Sequence, residues 1–71
     1  MIWWHDTPDG RELKITLEES EWIVLVEGDD RPCRGRDLRV VLAEAVDAEE
    51  TSSWIVALAD QVESAGPRPA N

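Results

Sequence analysis

The sequence contains one cysteine, one histidine and no tyrosine or phenylalanine. A single cysteine excludes an internal disulfide, and Cys33 with His5 falls short of the four Cys or His ligands of a structural zinc site. A chain of 71 residues has a small core, and domains of this size often depend on a disulfide, a metal or oligomerisation for stability. We therefore expect no metal and no cofactor, and we expect a homodimer.

Long apolar runs and a basic leader segment are also missing from the sequence. No apolar run approaches the roughly 18 residues that a membrane span requires. The first residues do not show the basic and apolar regions of a secretory signal peptide. Together with the lone cysteine, which fits a reducing compartment, these features predict a cytoplasmic location.

Basic residues are scarce, with seven Lys or Arg against sixteen Asp or Glu and a formal net charge of −9. Such a charge repels nucleic acids and anionic membranes, so we expect neither as a direct partner. It suits a basic protein partner instead. The few basic residues are clustered, because four arginines fall within residues 31–39.

The first half of the chain predicts three strands. Residues 2–5 are rich in aromatic and β-branched side chains, which favour a strand, and residues 7–10 carry a Thr-Pro-Asp-Gly turn signal. Residues 11–18 alternate apolar and polar side chains, which indicates a half-buried second strand. Residues 19–20 then predict a tight hairpin connection to a third strand at 21–27.

Two helices are predicted after the strands. Residues 35–47 carry apolar side chains at helical spacing, and Asp47–Glu50 resembles the capping box that begins a helix. The second helix runs from about 48 to 65 and stops at the glycine and prolines that follow. The result is an α+β fold, a small antiparallel three-stranded sheet followed by two helices (β-β-β-α-α), in one domain over residues 1–66 with a disordered tail at 67–71.

Three segments are apolar on more than one side: Trp22–Val26, Leu38–Val46 and Trp54–Ala59. In a two-layer fold each element buries only one apolar face. The additional apolar sides of these three segments must therefore be buried against another part of the chain or against a partner. The third strand is therefore central or covered on both faces. Alternatively, the first helix lies between the sheet and the second helix, and the alanines are tolerated outside. We expect the outward helix sides to form a dimer or partner interface through Val40, Ala43, Trp54 and Ala57.

Adjacent Trp3 and Trp4 must point to opposite faces of a strand. We therefore expect one of the two rings to be exposed, where a partner can contact it. Tryptophan is a favoured anchor of protein interfaces because it buries a large area, although small cores use it equally well.

The arginine segment leads into a helix N-terminus, where backbone N–H groups attract anions. Arg34, Arg36 and Arg39 form a candidate anion or ligand site there. The segment contains neither of the glycine-rich phosphate-binding motifs. The alternative is a solvated loop whose arginines pair with the surplus carboxylates.

The sequence identifies no catalytic residues. Cys33, near a predicted helix start, could have a lowered pKa, but a dyad with His5 would need a group that orients the histidine and an oxyanion donor. A packed cysteine is the simpler interpretation. Paired carboxylates are plentiful, yet acid–base chemistry needs a pocket that separates their pKa values. We do not expect an enzyme.

Three acidic residues, Glu49, Asp60 and Glu63, fall on about one face of the second predicted helix. Duplex DNA presents one charge per about 1.7 Å of its axis, and an acidic helix face can imitate that charge toward a DNA-binding protein. These residues form a candidate face for a basic partner. Ordinary solvation of an outer helix face is the alternative.

One family resemblance is present between residues 22 and 45. The stretch contains, in order, Trp22, Pro32-Cys33, Gly35, Leu38 and Ala45. It resembles the core of HicB-type antitoxins, in which strands lead to a Pro-Gly-Cys-like turn, then a glycine and a helix with a Leu and Ala pattern. The glycine after the proline is missing here, and a second helix stands where that family has a further strand. The resemblance implies an antitoxin that blocks a small RNase.

Taken together, the sequence favours a non-enzymatic protein-interaction module, a small acidic regulator or inhibitor that binds another protein. That partner is expected to be basic, and nucleic-acid-binding proteins are one such class. A HicB-type antitoxin is one alternative, and a small anion or ligand binder that uses the arginine segment is another.

Overall fold

The fold consists of a four-stranded antiparallel sheet and two helices. In the computed structural model, which describes residues 1–65, the elements are β1 (Ile2–Asp6), β2 (Glu12–Glu18), β3 (Glu21–Val26), β4 (Cys33–Gly35), α1 (Leu38–Val46) and α2 (Ser53–Ala65). The strands are neighbours in the order β1-β2-β3-β4. The predicted α+β class is confirmed, with four strands instead of three. The tail predicted at 67–71 lies outside the described residues.

The additional strand, β4, lies in the arginine segment that the sequence predicts to be a loop. It pairs with β3 through Val24 opposite Cys33 and Trp22 opposite Gly35. Three residues are too few to show the alternation that marks a strand, so pairing with β3 determines its conformation. Gly35 allows β4 to lie close to α1, because a Cβ at this position would stand 2.8 Å from Val41 Cγ2.

Helix α1 begins at Leu38, three residues after the predicted start at 35. Asp37 is its N-cap: the backbone is extended (φ −106°, ψ 111°), and the carboxylate accepts a hydrogen bond of 3.1 Å from the Arg39 N–H. The short acceptor side chain thus satisfies one of the free N–H groups at the helix start. The residues before Asp37 belong to β4 and its exit.

The capping box predicted at Asp47–Glu50 is wrong. Asp47 closes α1 in a left-handed conformation (φ 56°, ψ 50°), which aspartate tolerates better than most residues. Helix α2 begins at Ser53 rather than at 48. The Ser52 carbonyl accepts the Val56 N–H at 3.0 Å, which is the first hydrogen bond of that helix. Ser52 therefore stands at the N-cap position, where serine is favoured.

Two turns fix the first three strands. The predicted turn after β1 is closed by the Thr7 N–H, which donates to the Arg11 carbonyl at 2.7 Å. The Thr7 hydroxyl donates to Asp9, and Arg11 Nε lies 3.1 Å from the same carboxylate. These contacts lower the pKa of Asp9 below its ordinary value. The predicted hairpin connection is also confirmed, because Glu19 and Ser20 have the positive φ values (49° and 68°) of a tight two-residue turn.

The helices cover one face of the sheet, called here the covered face. Alternate residues of β2 and β3 point toward the helices and have almost no exposed surface. The Trp3 and Trp22 rings also meet on this face, with centroids 5.5 Å apart and planes at 47°. The core residues are Leu13, Ile15, Trp22, Val24, Val26, Leu38, Val41, Leu42, Ala43, Ile55, Leu58, Ala59 and Val62.

Candidate protein-interaction surface

The opposite face of the sheet is covered by neither helix of the described chain, and we call it the open face. Strand alternation places every second residue of each strand there. Ile2 is 52% exposed and Trp4 58% exposed, and Ile23 and Leu25 are half-buried. The open face carries Ile2, Trp4, Lys14, Thr16, Ile23, Leu25 and Arg34 in its middle, with Asp6 and Glu12 at one end and Glu18 and Glu21 at the other.

The strand register arranges these side chains in two rows across the sheet. One row joins Trp4, Lys14 and Leu25, which are direct cross-strand neighbours. The Lys14 Nζ lies over the Trp4 ring, 5.8 Å from the ring centroid, which is within the range of a cation–π contact. The second row joins Ile2, Thr16, Ile23 and Arg34. An exposed aromatic ring and three aliphatic side chains therefore share one face of the sheet, with Lys14 and Thr16 between those of β1 and those of β3.

A groove of about 340 Å³ opens at the Trp4 end of the open face. Trp4, Lys14 and Leu25 line it from the strands, and Glu12, Glu27 and Asp29 bring carboxylates to it. The Glu27 carboxylate accepts a hydrogen bond of 3.1 Å from the Glu12 N–H, which holds this side chain at the end of the β2–β3 pair. Of the described residues that line the groove, three are acidic and one is basic, a net formal charge of −2.

The other end of the open face is closer to charge balance. Arg34 Nη1 lies 3.4 Å from Glu21 Oε1, across the β3–β4 pair. Arg34 and Arg36 also share a groove with Glu18, Glu19 and Glu21. The groove at the Trp4 end, with a net formal charge of −2, is therefore more negative than this one, which has three acidic and two basic residues.

The helix residues predicted to form an interface have different surroundings. Ala43 is only 7% exposed and belongs to the core, which corrects its predicted outward position. Trp54 packs against the core, and Val40 is half-buried. Ala57 is exposed as expected, and the neighbouring Val56 is 37% exposed. The apolar surplus of the helices is largely consumed by their contacts with the sheet and with each other, so the uncovered apolar residues lie mainly on the sheet.

The three arginines of the predicted anion site do not converge. Arg34 belongs to the open face and pairs with Glu21. Arg36 shares the groove of Arg34 and also lines, with Arg39, a second groove of about 380 Å³ that contains Asp60 and Glu63 of α2. In addition, the Asp37 carboxylate occupies the N-terminus of α1, where an anion would bind. Acidic groups lie near each arginine, as the alternative expects, but residues 33–35 form β4 rather than a solvated loop.

The predicted acidic face is divided as well. Asp60 and Glu63 are exposed on α2 and border the groove that contains Arg36 and Arg39. Glu49 lies in the connection before α2, since the helix begins at Ser53. Its carbonyl accepts the Ser52 N–H at 3.0 Å. The two helix carboxylates therefore share a groove with two arginines, and Glu49 is not aligned with them on one helix.

Cys33 and His5 lie on strands at opposite edges of the sheet. Three strand spacings separate β1 from β4, about 14 Å, so these residues do not form a dyad. Burial raises the pKa of the half-buried Cys33 thiol, and the charges of Glu44 and Asp29 act in the same direction. These surroundings differ from the electropositive ones that activate a cysteine.

Within residues 1–65, no group of three or more His, Cys, Asp or Glu side chains is arranged to hold a metal ion. In the same part of the chain, neither helix has the length and hydropathy needed to cross a bilayer. Comparisons with protein-family models, with curated proteins and with solved structures found no match for this chain.

The main signal for the open face was the five-residue apolar run of β3. The sequence predicts that this strand is central or covered on both sides. In the structure β3 lies between β2 and β4, and its Ile23 and Leu25 side chains point away from the helices. The pair Trp3 and Trp4 behaves as predicted, with Trp3 packed against the core and Trp4 exposed.

Proposed function

We propose that this chain is a non-enzymatic protein-interaction module, a small acidic regulator or inhibitor that binds another protein through the open face of its sheet. The observation that carries the proposal is the exposure of Ile2 and Trp4 on the sheet face that also bears the half-buried Ile23 and Leu25, with Lys14 and Thr16 of β2 between the two pairs. Large apolar side chains left uncovered together on one face of a small protein are typical of binding sites. Tryptophan in such a patch is a frequent source of binding energy.

The alternatives have less support. An anion site at the arginine segment is disfavoured because Arg36 and Arg39 share their groove with Asp60 and Glu63. A HicB-type antitoxin would also act by binding a protein, so it is one specific form of the proposed function.

The test compares how variants of the open sheet face and a variant of helix α2 bind proteins from a lysate. We would immobilise the wild-type chain and the variants Trp4→Ser, Ile23→Thr and Val56→Ser, and quantify the proteins each retains from a lysate of the organism that encodes it. Val56 is the matched control, because it is an exposed apolar residue on α2 rather than on the sheet. Circular dichroism would confirm that each variant is folded.

The proposal expects at least one protein that wild type and Val56→Ser retain equally and that both sheet variants lose. Retention that is unchanged in the sheet variants, or that is lost only in Val56→Ser, would assign binding to another surface and contradict the proposal.

A further inference from the structure

The groove beside Trp4 combines carboxylates with an exposed aromatic ring. This combination specifies the chemistry of a partner more closely than the apolar side chains of the open face do. We propose that the partner presents a basic segment to the open face and places an arginine side chain in this groove. This inference rests on the proposed function, because it names the partner chemistry for the same surface.

Charge complementarity is the first argument. The groove brings Glu12, Glu27 and Asp29 around the exposed Trp4 ring, with Lys14 as the basic residue among those that line it. A partner that places a cation here meets three carboxylates, and the remainder of the chain adds to the attraction because its net charge is −9. Complementary charge of this kind raises the association rate and selects against acidic partners.

The same charges argue against a second copy as the occupant. Two chains that meet through their open faces would bring two grooves of net formal charge −2 toward a common interface, and two chains of charge −9 into contact. Like charges in an interface are unfavourable. A basic partner avoids this cost and buries the same apolar side chains.

The Trp4 ring supplies the second argument. Lys14 already holds its ammonium over this ring, which shows that the ring face is accessible to a cation. A planar guanidinium stacks on an indole and can bind a carboxylate with two hydrogen bonds, whereas an ammonium is a compact, strongly hydrated charge. An arginine can therefore displace Lys14 from the ring and contact the carboxylates of the groove at the same time.

The apolar row beside the groove determines the rest of the segment. Ile2 and Ile23 lie on the same face, one row from Trp4 and Leu25. A segment that alternates arginine with an aliphatic residue would place its cations at the groove and its apolar side chains over this row. The expected recognition element is thus both basic and aliphatic.

The probe is a fluorescein-labelled nine-residue peptide that alternates isoleucine and arginine. Three matched peptides replace arginine with lysine, with citrulline, which keeps the shape without the charge, or with glutamate. Fluorescence anisotropy would give Kd at several salt concentrations. We expect the affinities to fall in the order arginine, lysine, citrulline, glutamate, and the arginine peptide to weaken as salt increases.

Two double variants with identical chemical changes provide the decisive comparison. Glu12→Gln with Asp29→Asn removes two groove charges, and Glu63→Gln with Asp60→Asn removes two charges from α2. Glu27 is left unchanged because its carboxylate bonds to the β2 backbone. Exposed ion pairs each contribute little, so the loss of both charges should raise Kd about three- to tenfold. The α2 variant should change Kd less than about twofold, since it alters only the long-range field.

Trp4→Leu tests the ring separately, because leucine keeps an apolar side chain and removes the cation–π contact. We expect Kd for the arginine peptide to rise about threefold or more, with little change for the citrulline peptide. Equal weakening by both double variants, equal affinity for the citrulline peptide, or no binding at millimolar concentrations would overturn the inference. In those cases, lysate retention that still depends on Trp4 and Ile23 would leave the proposed function intact.

A second copy is tested by light scattering after size exclusion at two protein concentrations. The inference expects either the 8.0 kDa mass of one chain or a homodimer whose mass Trp4→Ser leaves unchanged. A dimer that Trp4→Ser dissociates would assign the open face to self-association and overturn the inference.

Discussion

The two faces of the sheet are built from the same strands but differ sharply in exposure. On β3, Val24 is completely buried beneath the helices, while its neighbours Ile23 and Leu25 remain half-buried on the open face. Both faces are apolar, so hydrophobicity does not distinguish them. The difference in exposure arises because α1 and α2 both pack on the same face of the four-stranded sheet and leave the other face uncovered. An apolar run therefore indicates a need for cover, and only the packing shows which side receives it.

The largest expected effect compares the same substitution on the two faces. Leu13→Ala empties a site with no exposed surface and should cost about 2–5 kcal/mol of unfolding free energy. Leu25→Ala, on the open face, should cost less than about 1 kcal/mol because the side chain is partly in water already. Urea unfolding followed by tryptophan fluorescence measures both.

A small domain has only about 3–5 kcal/mol of stability, so Leu13→Ala should lose its cooperative transition. Refolding of this variant in a stabilising osmolyte would show that the loss is thermodynamic. Equal destabilisation by the two variants would mean that the open face is part of the core, and the comparison between the faces would fail.

The second effect concerns the close approach of β4 to α1 on the covered face. Gly35→Ala would place its Cβ 2.8 Å from Val41 Cγ2, and overpacking of this kind costs about 1–3 kcal/mol. Val41→Ala alone should cost about 2 kcal/mol through lost burial. The double variant should lose less than the two single losses together, because Val41→Ala removes the clash.

The control on the same strand is Arg34→Ala, which alters the open face. Its exposed ion pair with Glu21 contributes little, so stability should change by less than about 0.5 kcal/mol. Strict additivity of the Gly35 and Val41 losses would show that the two residues are not in close contact.

Sequence patterns were sufficient for the features that rest on local signals. The alternation of β2, the Thr-Pro-Asp-Gly turn and the glutamate–serine hairpin were all predicted and are present. The sequence does not predict strand β4, because three residues are too few to show an alternation of apolar and polar side chains. The conformation of β4 depends on its pairing with β3. The sequence predicts the start of the second helix about five residues too early, because Asp47 is suited both to begin a helix and to end one. The same short acidic side chain caps a helix start and tolerates the left-handed conformation that ends one.

The candidate surface was harder to predict than the fold. The sequence indicated uncovered apolar area but favoured the helices, and Ala43 proved to be buried in the core. Helical periodicity tells which residues share a side of the helix, whereas the burial of each side depends on how α1 packs against the sheet and against α2. The groove at Trp4 combines residues from β1, β2, β3 and the following turn, and no local pattern links such distant positions.

The smallest expected effect concerns the turn that joins β2 to β3 and thereby determines which side chains lie on each face of the sheet. A one-residue slip between β2 and β3 would exchange their covered and open side chains, and the Glu19–Ser20 turn fixes this register. Ser20 has a φ of 68°, which glycine adopts without strain, so Ser20→Gly should raise the unfolding free energy by about 0.5–1 kcal/mol. Ser53→Gly, the same change at the first residue of α2, should give no increase. Because Ser20 belongs to neither face, the affinity for the arginine peptide should stay within about twofold of wild type. A stabilised variant with altered affinity would show instead that the turn changes the open face itself, and that the two faces are coupled through the register.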